Sequence, residues 1–362
     1  MSLVSSIRRG KKIFSKELKM AVLLSSPYEE VAFDPKDFEK VDHVKVFNFL
    51  VRNKISLACY EKISRFPHRY NQFNPLFMLI KKTLNDNKRL IINIDQKIME
   101  LNELFKKYNI EFLLPKYTYF HREHNDIDVL VLPEEFELTL KILKSHDYVP
   151  TSVQSRWKVT TTKWIDGRRS AIHVHSILHW QFELIQSENI RERSILIDFN
   201  DSVKLRVPCG EDSILITAAH AIFENKKISI SDLFQLIGIL KKFPAVNWYQ
   251  IFDISYKNGW GSDLLFFLEQ INYLSFFINS TILIPKDIFI YGRKRISIFD
   301  RIVTKLVTTL TKREFCNVPY VYSNFQSRIS IIRLVFQKPR FFSIPRFLYG
   351  LVKNTIHGIN TE

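Results

Sequence analysis

Cysteine is scarce in this sequence, and its few cysteines lie far from one another. Cys59, Cys209 and Cys316 are the three cysteines among 362 residues. An odd number at this spacing indicates neither a disulfide framework nor a CxxC metal site. We therefore expect the protein to work in a reducing compartment, where thiols stay reduced.

Long apolar runs are also lacking. The most apolar window, residues 264–284, carries Glu269 and Asn272 near its middle, which is typical of a core helix rather than a membrane span. The basic N-terminal stretch at residues 7–13 has no continuous apolar segment of the kind found in a signal peptide. These two features predict a cytoplasmic protein.

Acidic residues are outnumbered by basic ones. Asp and Glu total 37 against 53 Lys and Arg, which gives a formal charge of +16. This balance favours a polyanionic partner, namely nucleic acid, nucleotide phosphates or an anionic membrane face. From residue 291 onward, 13 basic residues face 3 acidic ones, and 13 − 3 gives +10. Because aromatic residues interleave with these cations, we expect this tail to bind nucleic acid or an anionic membrane surface, the latter implying a peripheral membrane location.

The hydrophobic content of 46% is enough to bury a large core in two or three domains. Residues 158–165 are rich in β-branched side chains and predict a strand, and Asp166-Gly167 is a hairpin turn signal before the return strand at 170–177. Around this small mixed sheet the pattern is helical. We expect an N-terminal helical region over 1–108, an α/β core over 109–208, a helical domain over 209–290 and a basic helical tail over 291–362.

The chain is organised around residues 125–131, Asn-Asp-Ile-Asp-Val-Leu-Val. The apolar run at 112–114 predicts one buried strand, and the apolar residues after Asp128 prolong a second. Asp126 and Asp128 therefore share a strand face, with Cα atoms about 7 Å apart. Carboxylates this close repel each other unless a cation or a proton lies between them, and Mg²⁺ suits such oxygen ligands. The alternative interpretation is a strand that simply begins at a solvated loop.

The order of apolar strand, turn, paired aspartates and helix resembles the nucleotidyltransferase superfamily, which has the fold of DNA polymerase beta. Within it, the sequence is most similar to uncharacterised nucleotidyltransferase-like proteins of bacteria and archaea. The resemblance covers roughly residues 85–280 and includes the segments 211–224 and 231–233. It implies an α+β fold in which Asp126 and Asp128 bind Mg²⁺ or Mn²⁺, and transfer of a nucleotidyl group from an NTP to an unknown hydroxyl acceptor.

The turn before the aspartates departs from the superfamily pattern. Relatives place Gly-Ser there, and these small residues let backbone N–H groups approach phosphate. This sequence has Pro-Lys-Tyr-Thr at residues 115–118 instead. Lys116 would then contact phosphate as a point charge, with Thr118 as a hydroxyl donor. An ordinary surface lysine is the alternative interpretation.

The later strand departs from the pattern more seriously. Relatives commonly carry an Asp two residues before a His, and here His173 stands at the position of that acid, with His175 at the family histidine. The resemblance implies a cofactor-binding role for His175, and a histidine hydrogen-bonded in the core is the alternative interpretation. Imidazole suits Zn²⁺ or Mn²⁺ better than Mg²⁺. Three alternatives follow: a changed metal preference, substitution by Asp166 or Glu183, or a weak or inactive enzyme. In the last case the protein would be a degenerate nucleotidyltransferase fold that binds nucleic acid or a membrane surface.

Three further residues match the family's helical segment. His220, Glu224 and Asp232 are expected on the nucleotide side, and His220 and Glu224 share a helix face at i, i+4. That spacing also occurs in two-residue metal ligation, but no third ligand is near in sequence. A helix-packing hydrogen bond between His220 and Glu224 is the favoured interpretation.

Overall fold

The protein is described by a computed structural model over residues 15–27, 40–65, 74–120, 126–165, 168–180, 183–279, 282–296 and 320–322. Helices precede, flank and follow a central sheet. No described helix is long and apolar enough to cross a membrane. The helices are α1 Lys16–Ser25, α2 His43–Arg52, α3 Ser56–Arg65, α4 Asn74–Lys107, α5 Phe136–Ser145, α6 Ser187–Glu192, α7 Gly210–Ala219, α8 Ile230–Lys242, α9 Trp248–Lys257, α10 Gly261–Asn279 and α11 Lys286–Arg295.

The central sheet has five strands in the order β1-β2-β5-β4-β3. Strands β2 and β5 run parallel, and the other neighbours are antiparallel. This mixed sheet with flanking helices confirms the α+β fold class. Its strands are β1 Phe112–Leu113, β2 Asp126–Val131, β3 Val149–Ser155, β4 Lys158–Ile165 and β5 Arg168–His175, and a separate hairpin comprises β6 Ile195–Asp198 and β7 Lys204–Val207.

The two faces of the sheet meet different cores because side chains alternate along a strand. Ile127, Val129 and Val131 of β2 pack on one face, together with the second half of α4, with α5 and with β7. Leu130 points the other way, into a larger core built from α1 to α3 and α7 to α10. Asp126 and Asp128 share the face of Leu130. The aspartates therefore open toward the helices that follow the sheet.

The predicted hairpin is confirmed, because β4 and β5 pair antiparallel from Lys158↔His175 to Ile165↔Arg168. Its turn, Asp166-Gly167, lies outside the described residues, as does the turn at 121–125. Most of the expected basic tail also lies outside them. Its described parts are the end of α11 and strand β9, Tyr320–Tyr322, which pairs with β8, Lys227–Ser229. The domain boundaries expected from the sequence stay a prediction.

Candidate active site

The site is built on the neighbouring strands β2 and β5. Their parallel register places Asp128 beside His173 and Asp126 beside Ala171. His173 and His175 are two residues apart and so share the face of the aspartates. The backbone pairing of β2 with β5 therefore places all four side chains on one face of the sheet.

Measured distances show how closely these groups converge. Nε2 of His175 donates to Oδ1 of Asp128 over 2.8 Å. Nδ1 of His173 lies 3.4 Å from Oδ1 of Asp128 and 3.5 Å from Oδ2 of Asp126. One ligand atom each from Asp128, His173 and His175 lies within 4.8 Å of the other two. The expected placement of His173 beside both aspartates is thus observed.

Three buried polar atoms on this face make no hydrogen bond within the described residues. They are Nδ1 of His173, Nδ1 of His175 and Oγ1 of Thr160. Thr160 lies opposite His173 in the β4–β5 pair. An unpaired buried polar group costs about 1–3 kcal/mol, so native structures keep few of them without a functional reason. Their concentration here indicates a site that completes its contacts with a ligand.

Lys116 brings positive charge to the aspartates. Its Nζ lies 3.3 Å from Oδ1 of Asp128, and its side chain is only 13% exposed. Burial alone would raise the pKa of Asp128, but Lys116 and the hydrogen bond from His175 outweigh burial and hold that pKa well below its ordinary value. Burial lowers the pKa of His175 despite its contact with Asp128. Asp128 is therefore ionised at neutral pH beside an uncharged imidazole.

The loop at residues 117–120 is held against helix α8. Gln235 accepts from the backbone N–H of Tyr119 over 3.1 Å and donates to the carbonyl of Tyr117 over 2.8 Å. A Cβ on Gly238 would meet the Tyr119 carbonyl at 2.5 Å, so the loop approaches the helix where only glycine fits. The Tyr119 amide is thus occupied by Gln235, and the expected contacts of Lys116 and Thr118 with phosphate stay a prediction.

A cleft of about 600 Å³ opens beside the aspartates. Lys116, Thr118, Asp126 and Asp128 line it, and Lys242 at the end of α8 lines it as well. Clefts of about 300–1,000 Å³ are typical of small-molecule sites. The volume and the mixed charges fit a small polar ligand.

His220 and Glu224 lie in a single wide turn of π-helix, His220–Glu224, that follows α7. Nδ1 of His220 and Oε2 of Glu224 are 2.6 Å apart, so the expected i, i+4 hydrogen bond is present. Glu224 also accepts from Lys116, Lys158 and the indole of Trp180. The sequence did not single out Lys158 or Trp180, and the expected place of His220 and Glu224 on the nucleotide side stays a prediction.

The remaining candidates lie elsewhere. Asp232 accepts from the backbone N–H and the hydroxyl of Ser229, which is the capping box of α8. Glu183 accepts from the Ser187 backbone N–H at the start of α6. Asp166 lies outside the described residues. The contacts of Asp232 and Glu183 stabilise helix ends, and the expected part of Asp232 in nucleotide binding stays a prediction.

Paired strand carboxylates beside a basic loop, on a mixed sheet flanked by helices, define a nucleotidyltransferase-like protein. The family model described as "Uncharacterised nucleotidyltransferase" matches residues 39–274 of the 362. The chain therefore belongs to this uncharacterised nucleotidyltransferase family. No curated protein matches it.

A divalent metal ion, which this family generally uses, fits the residues present. Nδ1 of His173 is buried without a hydrogen bond among the described residues, and it faces the carboxylates of both Asp126 and Asp128. A mixed set of carboxylate oxygen and imidazole nitrogen suits Mn²⁺ or Zn²⁺ better than Mg²⁺. The donor set thus fits a metal centre.

Proposed function

We propose that the protein transfers a nucleotidyl group from an NTP to a hydroxyl acceptor, with a divalent ion held by Asp126 and Asp128. The observation that carries this proposal is that Asp128, which lines the cleft, lies 3.3 Å from Nζ of Lys116 and 3.4 Å from Nδ1 of His173. Phosphoryl and nucleotidyl transfer ask a protein mainly for positioning and for charge neutralisation. This cluster offers both.

Each side chain has a distinct part in this proposal. Asp126 and Asp128 bind the ion, and Nδ1 of His173 completes the donor set. His175 orients Asp128 through its 2.8 Å hydrogen bond. Lys116 and Thr118 bind the NTP phosphates from the cleft wall. When bound, the ion would neutralise the charge that develops on the phosphate oxygens during transfer.

Incubation with labelled NTPs tests the proposal. The protein is supplied with Mn²⁺ or Mg²⁺, a cell extract, and NTP labelled either at the α-phosphate or at the γ-phosphate. Nucleotidyl transfer moves the α-label to an acceptor and leaves the γ-label in pyrophosphate. Transfer of the γ-label would reveal a kinase instead, and absence of any transfer that depends on Asp126 and Asp128 would overturn the proposed activity.

A non-catalytic polyanion-binding protein is the second candidate function. It is favoured by His173 in place of the third acid and by the net charge of +10 from residue 291 onward. Binding of this kind weakens steeply with salt, because counterions are released from the polyanion. Replacing the basic residues between 324 and 353 with Gln, then measuring RNA and anionic-vesicle binding at low and moderate salt, tests it. Unchanged binding to both partners would remove this candidate.

A further inference from the structure

The carboxylate of Glu224 gathers more donors than any single structural role needs. Its Oε2 accepts from Lys116 at 3.3 Å, from Trp180 at 3.2 Å and from His220 at 2.6 Å. Its Oε1 accepts from Lys158 at 3.4 Å. Burial raises the pKa of Glu224, but His220 and the two lysines outweigh it and place that pKa far below its ordinary value.

Among the described residues, three of the four donors to Glu224 share Oε2, and Lys158 alone contacts Oε1. A carboxylate has about four lone-pair sites, so Oε2 is fully used and the remaining site on Oε1 lies beside an ammonium group. Two of the four donors are lysine ammonium groups, which repel a metal ion. The lysines that it holds are its chemically significant neighbours.

Lys116 is shared between two carboxylates. Its Nζ is 3.3 Å from Oδ1 of Asp128 and also 3.3 Å from Oε2 of Glu224. Burial lowers the pKa of Lys116, but the two acids outweigh burial and raise it, so the side chain stays an ammonium. A divalent ion held by both Asp128 and Nδ1 of His173 would lie near Oδ1 of Asp128, since that nitrogen is 3.4 Å from the oxygen that this ammonium also contacts. The two cations therefore compete for Asp128.

The position of Glu224 determines how strongly Lys116 competes. Glu224 belongs to the π-helical turn after α7, and such turns occur frequently at functional sites. His220, at the start of the same turn, and Trp180, after β5, fix its carboxylate. Because this fixed anion attracts Lys116, the ammonium group is held between two carboxylates. It would lie closer to Asp128 if Asp128 were its sole counterion.

We propose that Glu224 is a positioning residue that draws the Lys116 ammonium away from Asp128 and so permits a divalent ion to bind there. This inference rests on the proposed metal-dependent function. In it, Lys116 remains beside the ion, held by Glu224, where its charge faces the NTP phosphates. Lys158 forms no ion pair with Asp128 among the described residues. It contacts the other oxygen of Glu224, Oε1, at 3.4 Å.

Mn²⁺ binding without nucleotide tests this inference. The free-Mn²⁺ electron paramagnetic resonance signal reports affinity for wild type, Lys116→Met, Glu224→Gln and the double variant. Lys116→Met should raise Mn²⁺ affinity about tenfold, because it removes a competing cation next to a ligand. Glu224→Gln should lower Mn²⁺ affinity about tenfold, which is typical when a residue that supports the metal ligands is lost. NTP affinity should fall in Lys116→Met although Mn²⁺ affinity rises.

The double variant separates this role from general electrostatics. If Glu224 acts through Lys116, Glu224→Gln should have almost no effect in the Lys116→Met background, so the two effects should be clearly non-additive. An undiminished effect of Glu224→Gln in that background would overturn the inference. So would equal Mn²⁺ affinity in wild type and Glu224→Gln.

Two further outcomes are decisive. Failure of wild type to bind Mn²⁺ at all would overturn the proposed metal site itself, which distinguishes that failure from a failure of Glu224 alone. If Glu224→Gln does not fold, Lys158→Met probes the same carboxylate. Removing this lysine leaves Glu224 freer to attract Lys116, so Mn²⁺ affinity should rise, by less than in Lys116→Met. A fall or no change would contradict the inference.

Discussion

Two buried carboxylates, Asp128 on β2 and Asp212 in the first turn of α7, meet the cost of burial in different ways. Asp212 is fully buried, and both of its oxygens accept from the guanidinium of Arg193 at 2.7 and 3.0 Å. Asp128 shares one oxygen among Lys116, His173 and His175. The Asp212 pair has matched charge and geometry, whereas in the Asp128 cluster Nδ1 of His173 and Nδ1 of His175 make no hydrogen bond among the described residues.

This difference separates a structural carboxylate from a candidate functional one. A bidentate pair with arginine satisfies both oxygens of the carboxylate, so the carboxylate is not available to a ligand. A carboxylate that is surrounded by single contacts and unpaired nitrogens can exchange one contact for a ligand. We therefore expect substitutions at the two aspartates to affect different properties of the protein.

The largest expected effect is on activity, from Asp128→Asn. Loss of this carboxylate removes the residue that contacts every other group of the cluster, so transfer of the α-label should fall by about 10³-fold, or about 4 kcal/mol. Thermal unfolding should change little, because the amide keeps the shape and Lys116 keeps Glu224 as a partner. Retention of most of the transfer activity would show that Asp128 is not functional.

The next effect is on stability, from Arg193→Met. This change leaves Asp212 charged and fully buried without its partner, so the free energy of unfolding should fall by about 3–5 kcal/mol. Asp212→Asn should cost less, because the Arg193 side chain is 29% exposed and can reach solvent. Urea denaturation measures both variants. A change in Mn²⁺ affinity in Arg193→Met would break the separation drawn between the two regions.

A smaller effect is expected on metal preference, from His173→Asp. Wild type should bind Mn²⁺ more tightly than Mg²⁺, because imidazole is a poor ligand for Mg²⁺. The added carboxylate should shift the preference toward Mg²⁺ by about tenfold, since it supplies a further oxygen ligand. Calorimetric titration of both ions checks this. The shift should disappear when Asp128 is also replaced, and its persistence there would indicate a separate ion.

The smallest effect concerns pH and Glu224. Its pKa is lowered in the folded protein relative to the ordinary value of 4.5, so its ionised form stabilises the fold above about pH 4.5. That contribution should be lost as pH falls below 4.5 toward the lower folded-state pKa. We expect about 1 kcal/mol, because the side chain is 35% exposed and solvent screens its ion pairs. The free energy of unfolding should fall more steeply between neutral and acidic pH for wild type than for Glu224→Gln. Identical pH dependence in the two proteins would contradict the prediction.

Much of the fold followed from local pattern. The strand at the aspartates and the β4–β5 hairpin were predicted from apolar runs and turn residues, and the structure confirms them. The capping role of Asp232 was not predicted, because residues 231–233 were interpreted only as part of the family segment and Ser229 was not considered. A serine three residues before an acid at a helix start was the signal that could have found it.

The sequence by itself determined which side chains share a strand face, and so it placed Asp126 with Asp128 and His173 with His175. That information is local, since alternation repeats every two residues along a strand. Only the tertiary structure decided that β2 pairs with β5 in the register that places Asp128 beside His173. It also decided which distant groups complete the site. Glu224 lies 108 residues from Lys116 and 66 from Lys158, and no sequence period links positions so far apart. Their meeting depends on how α7 and its π-helical turn pack over the sheet, because packing of whole elements sets long-range distances.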